Sequence, residues 1–154
     1  MVKETTAIRP RTGDLEGALT MGVELSKPAL DVGIVTANFE QMMIFYRDVL
    51  GFVAEEPRVF PELGTIHRLA VGESILRLFN PEKTPPAANG SNDSIYSYTG
   101  IRYMTLVMSN LREVVDACRD FGVNVPRPVS EIRPGVFATT IQDPDGNWIE
   151  LQSG

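Results

Sequence analysis

The chain has 154 residues, 43% of them hydrophobic, with a formal net charge of -6, one cysteine and one histidine. That length suits a single domain with a sizeable core, and an acidic surface repels phosphate backbones and anionic lipid, so no nucleic acid and no membrane partner is expected. No apolar run approaches the roughly 20 residues a bilayer span requires, Cys118 alone permits no intrachain disulfide and fits a cytoplasmic location, and Cys118 with His67 cannot furnish a zinc site of several Cys and His.

Residues 1–27 show no sustained period and are punctuated by Pro10, Gly13 and Gly22. LEGALTMGVEL within them is open to a short helix, an arm or a flexible extension. Pro28 opens ALDVGIVTA, a strand rich in β-branched residues. Asn38 is placed to cap a helix whose apolar residues Phe39, Met42, Met43, Phe45, Tyr46, Val49 and Leu50 recur at helical spacing, and Gly51 is placed to end it. FVAEEPRVF, TIHRLAVG and SILRLFN read as three further strands, separated by turn signals at PELG and GES.

PEKTPPAANGSND is a linker by composition. After it the pattern restarts. GIRYMTLVMS reads as a strand and Asn110 as a cap. Leu111, Val114, Val115, Cys118 and Phe121 form a helical stripe closed by Gly122, and VNVPRPVSEI, GVFATTIQD and NWIELQS supply three strands. The organisation expected is an extension over 1–27 and one domain over 28–152, with unit one at 28–80, the linker at 81–99 and unit two at 100–152.

The halves superimpose. Asn38 falls on Asn110, Phe39 on Leu111, Arg47 on Arg119 and Asp48 on Asp120. With a one-residue slip Gly51 falls on Gly122, and SILRLF lies over NWIELQ. Neither unit alone can bury both faces of its sheet. The fold expected is α+β: two tandem βαβββ units forming a curved, mostly antiparallel sheet around a cleft, with helices outside.

The same superposition sets Glu150 opposite Arg77 and Asp31 opposite Tyr103, near the middle of four otherwise apolar strands. If helices cover the other faces, period-2 alternation points these four into the cleft. Each has a plainer reading. Glu150 can be a solvent-facing strand residue, Arg77 a partner in an internal salt bridge, Tyr103 a core aromatic with its hydroxyl in water, and Asp31 an exposed strand end. His67, the one imidazole for acid–base work near neutral pH, shares a face with Leu69 and Val71 and is open to an inward or a half-buried place. The DPDGN turn is mechanical, its Asp side chains capping amides. Met42 and Met43 read as core or a dimer surface and Cys118 as core, while Tyr96, Tyr98 and Arg133 are candidates for the cleft rim.

DVGIVTANFEQMMIFYRDVLGF, GIRYMTLVMSNLREVVDACRDFGV and above all EIRPGVFATTIQDPDGNWIEL resemble the vicinal oxygen chelate superfamily of glyoxalases, extradiol dioxygenases and bleomycin-resistance proteins, over about residues 29–152. One scaffold hosts many reactions, so the resemblance does not fix the chemistry. It implies a homodimer, a small organic molecule as partner and, in metal-binding members, four ligand places that here hold Asp31, Arg77, Tyr103 and Glu150. Only Glu150 matches the usual ligands. Arg77 has no acceptor and stays protonated, so no cofactor is favoured, although a divalent metal on Glu150, Asp31 and His67 remains an alternative. The first reading is a metal-independent lyase or isomerase with Glu150 or Asp31 as base, Arg77 stabilising an anion and Tyr103 donating a hydrogen bond. The second is a non-catalytic protein that sequesters a small molecule.

Overall fold

A computed structural model describes residues 23–90 and 93–154. Most of the expected extension, including the greater part of LEGALTMGVEL, therefore lies outside the described residues, as do residues 91–92 of the linker.

Unit one runs β1 (Val32–Val35), α1 (Phe39–Met43) with a π-helical continuation over Ile44–Val49, β2 (Val53–Phe60), β3 (Gly64–Val71) and β4 (Ser74–Pro81). Unit two repeats it as β5 (Tyr103–Met108), α2 (Leu111–Asp120), β6 (Ser130–Arg133), β7 (Val136–Gln142) and β8 (Trp148–Ser153). The sheet orders are β1-β4-β3-β2 and β5-β8-β7-β6. Each holds one parallel pair, β1 with β4 and β5 with β8, because the helix carries the chain across to the far edge of the sheet. Two βαβββ units of α+β type are thus present. They form two four-stranded sheets rather than one continuous sheet, and no strand of one pairs with a strand of the other among the described residues.

Alternation decides which face each sheet buries. Leu69, Leu76 and Leu78 of unit one and Ile141, Ile149 and Leu151 of unit two point to the helix side. There they join Met42, Phe45 and Tyr46 of the first helix and Leu111, Val115 and Cys118 of the second in one cluster. Met42 and Met43 take the core place of the two left open for them, and Cys118 is core, as its spacing implied. β2 is exposed along its whole length, and Pro57 sits within the register shift between Glu55 and Arg58, where an edge strand tolerates a missing N–H.

Asn38 and Asn110 occupy the helix N-caps, but neither side chain makes a capping hydrogen bond. Their carbonyls close the first turns, accepting from Met42 N–H at 3.1 Å and Val114 N–H at 3.1 Å. Before α1 the donor relationship is reversed, with Thr36 Oγ1 accepting from Asn38 N–H at 2.9 Å.

The one-residue slip between the halves has a structural counterpart. In unit two, Phe121 N–H reaches Ala117 O, an α-helical bond, and Val123 N–H reaches Cys118 O. The equivalent carbonyls in unit one, Phe45 and Tyr46, take their bonds from Leu50 and Phe52, each one residue farther along. The inserted residue is absorbed as π-helix over Ile44–Val49, since a π turn is an α turn widened by one residue. Both helices still end on a left-handed glycine, Gly51 and Gly122, each at φ 75°.

Candidate functional site

Opposite the helices, each sheet presents an open face. On unit one, cross-strand register aligns Gly33, Arg77, Arg68 and Glu55 in a row across β1, β4, β3 and β2, and directly opposed residues share a face. On unit two, Thr105, Glu150 and Thr140 align across β5, β8 and β7. The exposure of Arg77 between buried Leu76 and Leu78 follows from the pleat.

Asp31, just before β1, accepts hydrogen bonds from Lys27 Nζ, from Ile75 N–H at 2.9 Å and from Arg77 Nη2 at 2.7 Å. The Lys27 hydrogen bond, then the Ile75 amide, hold its carboxyl below the usual value against the opposing effect of burial, and the Arg77 charge adds to them. Arg68 pairs with Glu55 at 2.9 Å. Neither Arg68 nor Glu55 was singled out by the sequence. Parity sets Arg68 opposite to His67, but only the register of β3 with β4 fixes which face that is.

In unit two, Thr105 Oγ1 donates to Glu150 Oε2 at 2.9 Å, and Oε1 has no partner among the described residues. Tyr103 is exposed beside this pair. Trp148, in register with Tyr103, is buried with its indole N–H unpartnered among the described residues. Arg77 therefore makes the internal salt bridge that one reading allowed, with Asp31, and among the described residues it forms no ion pair with Glu150. The four positions form one pair on each sheet rather than a single constellation.

His67 lies elsewhere. Its register partner is Leu78, fully buried on the helix side, and its ring stacks on Phe39 with centroids 4.1 Å apart. Burial lowers its pKa, partly opposed by the Glu40 charge. Of the two places left open for it, His67 takes the half-buried one, on the face opposite Arg77. Tyr98 lies under the Arg102 guanidinium, 5.5 Å from ring centroid to charge, while Tyr96 and Arg133 are exposed.

These places do not fit a divalent cation. A guanidinium has no lone pair to offer, and Arg77 is bound to Asp31. The alternative set of Glu150, Asp31 and His67 spans two sheets and opposite faces. Among the described residues no group of three or more His, Cys, Asp and Glu is arranged to hold an ion.

The DPDGN turn is mechanical, and it does more than the sequence suggested. Asp143 Oδ1 accepts from the amides of Asp145 at 3.0 Å and Asn147 at 2.8 Å, and Oδ2 from Asn147 Nδ2 at 2.8 Å. Oδ2 also accepts from Tyr46 of unit one, a partner that no spacing in the sequence announces. Among the described residues no helix is long and apolar enough to cross a membrane.

The sequence model of the Glyoxalase/Bleomycin resistance protein/Dioxygenase superfamily matches residues 30–151. Among solved structures, the fold is similar to a glyoxalase family protein from Enterococcus faecalis (24% identity, TM-score 0.62, covering 80% of this chain and 93% of that one). It is also similar to a lactoylglutathione lyase from Agrobacterium tumefaciens (18%, 0.57, 82% and 92%) and to TnmS3, an antibiotic binding protein from Streptomyces sp. CB03234 (18%, 0.59, 84% and 98%). No curated protein matches the chain significantly. With the paired βαβββ units and a match over most of its length, the chain belongs to the Glyoxalase/Bleomycin resistance protein/Dioxygenase superfamily.

Proposed function

We propose that the protein binds a small polar organic molecule on its open sheet faces, without metal and without turning it over. The observation that carries this reading is the Asp31–Arg77 pair. It places a cation where metal-binding members need a ligand, and it saturates one of the two candidate bases with three donors. A carboxylate so engaged is held ionised and is a weak proton acceptor. His67 on the opposite face supplies no substitute.

The open faces carry both signs of charge: Lys27, Arg77 and Arg68 with Asp31, Glu55 and Glu150, and, by register, Arg58 and Arg133 on the outer strands. Such a surface suits a polar ligand carrying both donors and acceptors. Tyr103 provides an exposed aromatic wall, with the buried Trp148 ring in register beneath it. TnmS3 and the lactoylglutathione lyase share this fold, so the scaffold accommodates both binding and catalysis. β1 and β5 are sheet edges with exposed Val35 and Val107, and a homodimer that brings these edges together would set two open faces against each other.

A second reading has one observation in its favour. Glu150 keeps one oxygen without a partner among the described residues and can act as a base beside Tyr103. Titration with bleomycin and a panel of polycyclic antibiotics, followed by quenching of the single tryptophan Trp148, separates the two, with S-lactoylglutathione formation assayed in parallel. Saturable quenching with the ligand recovered unchanged supports binding. Turnover abolished by Glu150→Gln supports the second reading and overturns the first.

A further inference from the structure

A cavity of about 330 Å³ lies on the helix side of the molecule, between the two units and away from both open faces. Unit one contributes Ile44, Phe45 and Val49, all from the π-helical segment. Unit two contributes Phe121 and Val123, from the turn that follows α2. Polar lining comes from the side-chain amides of Gln41, Asn124 and Gln142, with Asn124 Nδ2 donating to Gln142 Oε1 at 2.6 Å.

The insertion and the cavity coincide. An extra residue re-aims the side chains on either side of it by roughly 100° relative to one another, and in this chain the residues so affected form one wall of the cavity. The matching helix in unit two is regular α over Leu111–Asp120 and has no such segment. Single π turns inside helices are rare and concentrate at functional sites.

The lining also defines the ligand. Asp143 is its one ionisable side chain; it is 4% exposed and already accepts four hydrogen bonds. Apolar walls with amide groups and no available charge suit a neutral molecule, and the volume sits at the small end of the ligand-pocket range of roughly 300–1,000 Å³. We propose that this cavity is a second binding site, for a neutral molecule of one or two rings bearing an amide-type donor–acceptor edge.

The test is an amide NMR titration of the full chain with carbostyril, a neutral bicyclic lactam. Saturable shifts at Phe45, Val123 and Asn124, with none at Gly33, Arg77 or Thr105, are expected. Ile44 is 38% exposed, so Ile44→Trp can fill the cavity without entering the core, and should weaken binding about tenfold or more. Phe121→Ala, at a residue 60% exposed, should weaken it by removing a wall. Shifts that do not saturate, that centre on the open faces, or that persist unchanged in Ile44→Trp overturn the proposal.

Discussion

Tyr46 Oη donates a 2.7 Å hydrogen bond to Asp143 Oδ2, joining the first helix of unit one to the DPDGN turn of unit two. Both residues are buried, at 1% and 4% exposure. Desolvation pushes the Tyr46 hydroxyl well above its usual pKa, with the Asp143 charge adding to it, so the tyrosine remains a donor. Tyr46→Phe takes one donor from a buried carboxylate and should cost about 1–3 kcal/mol in urea unfolding. Made in an Asp143→Asn background, the same change should cost measurably less, because the two residues share one interaction. Strict additivity would show that the bond does not join the units energetically.

Burial raises the Asp143 carboxyl above its ordinary value of 3.8, against the lowering effect of its hydrogen bonds. In the window just above 3.8 the folded chain holds a proton that the unfolded chain has released, so this group's contribution to stability falls as pH rises through that window. Asp31 has the opposite sign: its lowered pKa gives stability present above 3.8 and lost as pH falls through the folded value. Stability measured against pH should therefore separate the two. Asp143→Asn should steepen the net loss on acidification, and Asp31→Asn should flatten it.

His67 gives a third pH dependence, at higher pH. Burial holds its folded pKa below the ordinary 6.5, so the unfolded chain binds the proton first and stability is lost as pH falls below 6.5. His67→Phe keeps a ring against Phe39 and should flatten thermal stability between pH 7 and roughly 5. An unchanged profile would show that His67 does not titrate differently on unfolding.

Arg77 is a side chain 47% exposed, so Arg77→Ala should leave the fold intact by circular dichroism. If the open face of unit one recognises ligand, the same change should weaken the affinity measured by titration calorimetry about tenfold or more. Arg77→Lys should restore little of it, since an ammonium does not reproduce the guanidinium fork.

Deleting Val49 shortens the spacing from Asn38 to Gly51 to that found between Asn110 and Gly122. The first helix should then run as regular α to its closing glycine, with the Phe45 carbonyl accepting from the residue four positions on, at a cost below about 3 kcal/mol. Amide exchange and chemical shifts of the folded variant report this directly. Loss of folding would show that the π segment is required by the core.

The sequence disclosed much of this architecture for a physical reason. Apolar period separates helix from strand, and the Gly51–Gly122 correspondence marks the two helix ends. The slip between those glycines already held the π-helix, because a helix of unchanged ends with one extra residue must widen a turn. The faces of β3 and β4 needed register as well as parity: alternation grouped His67 with Leu69, and pairing with Leu78 then placed both against the helices. Tyr46–Asp143 was invisible because two residues so far apart share no local pattern. The absence of an ion pair between Arg77 and Glu150 among the described residues likewise lay in how the sheets are placed, which no strand sequence encodes.

The claim that the four positions hold an ion pair and a hydrogen-bonded carboxylate in place of a metal centre is tested most directly by elemental analysis. The purified, untagged protein would be incubated separately with Mn, Fe, Ni and Zn, then desalted. Metal content well below one equivalent in every case is the result predicted by the Asp31–Arg77 pair. Close to one equivalent of a single metal, lost in Glu150→Gln, would contradict it.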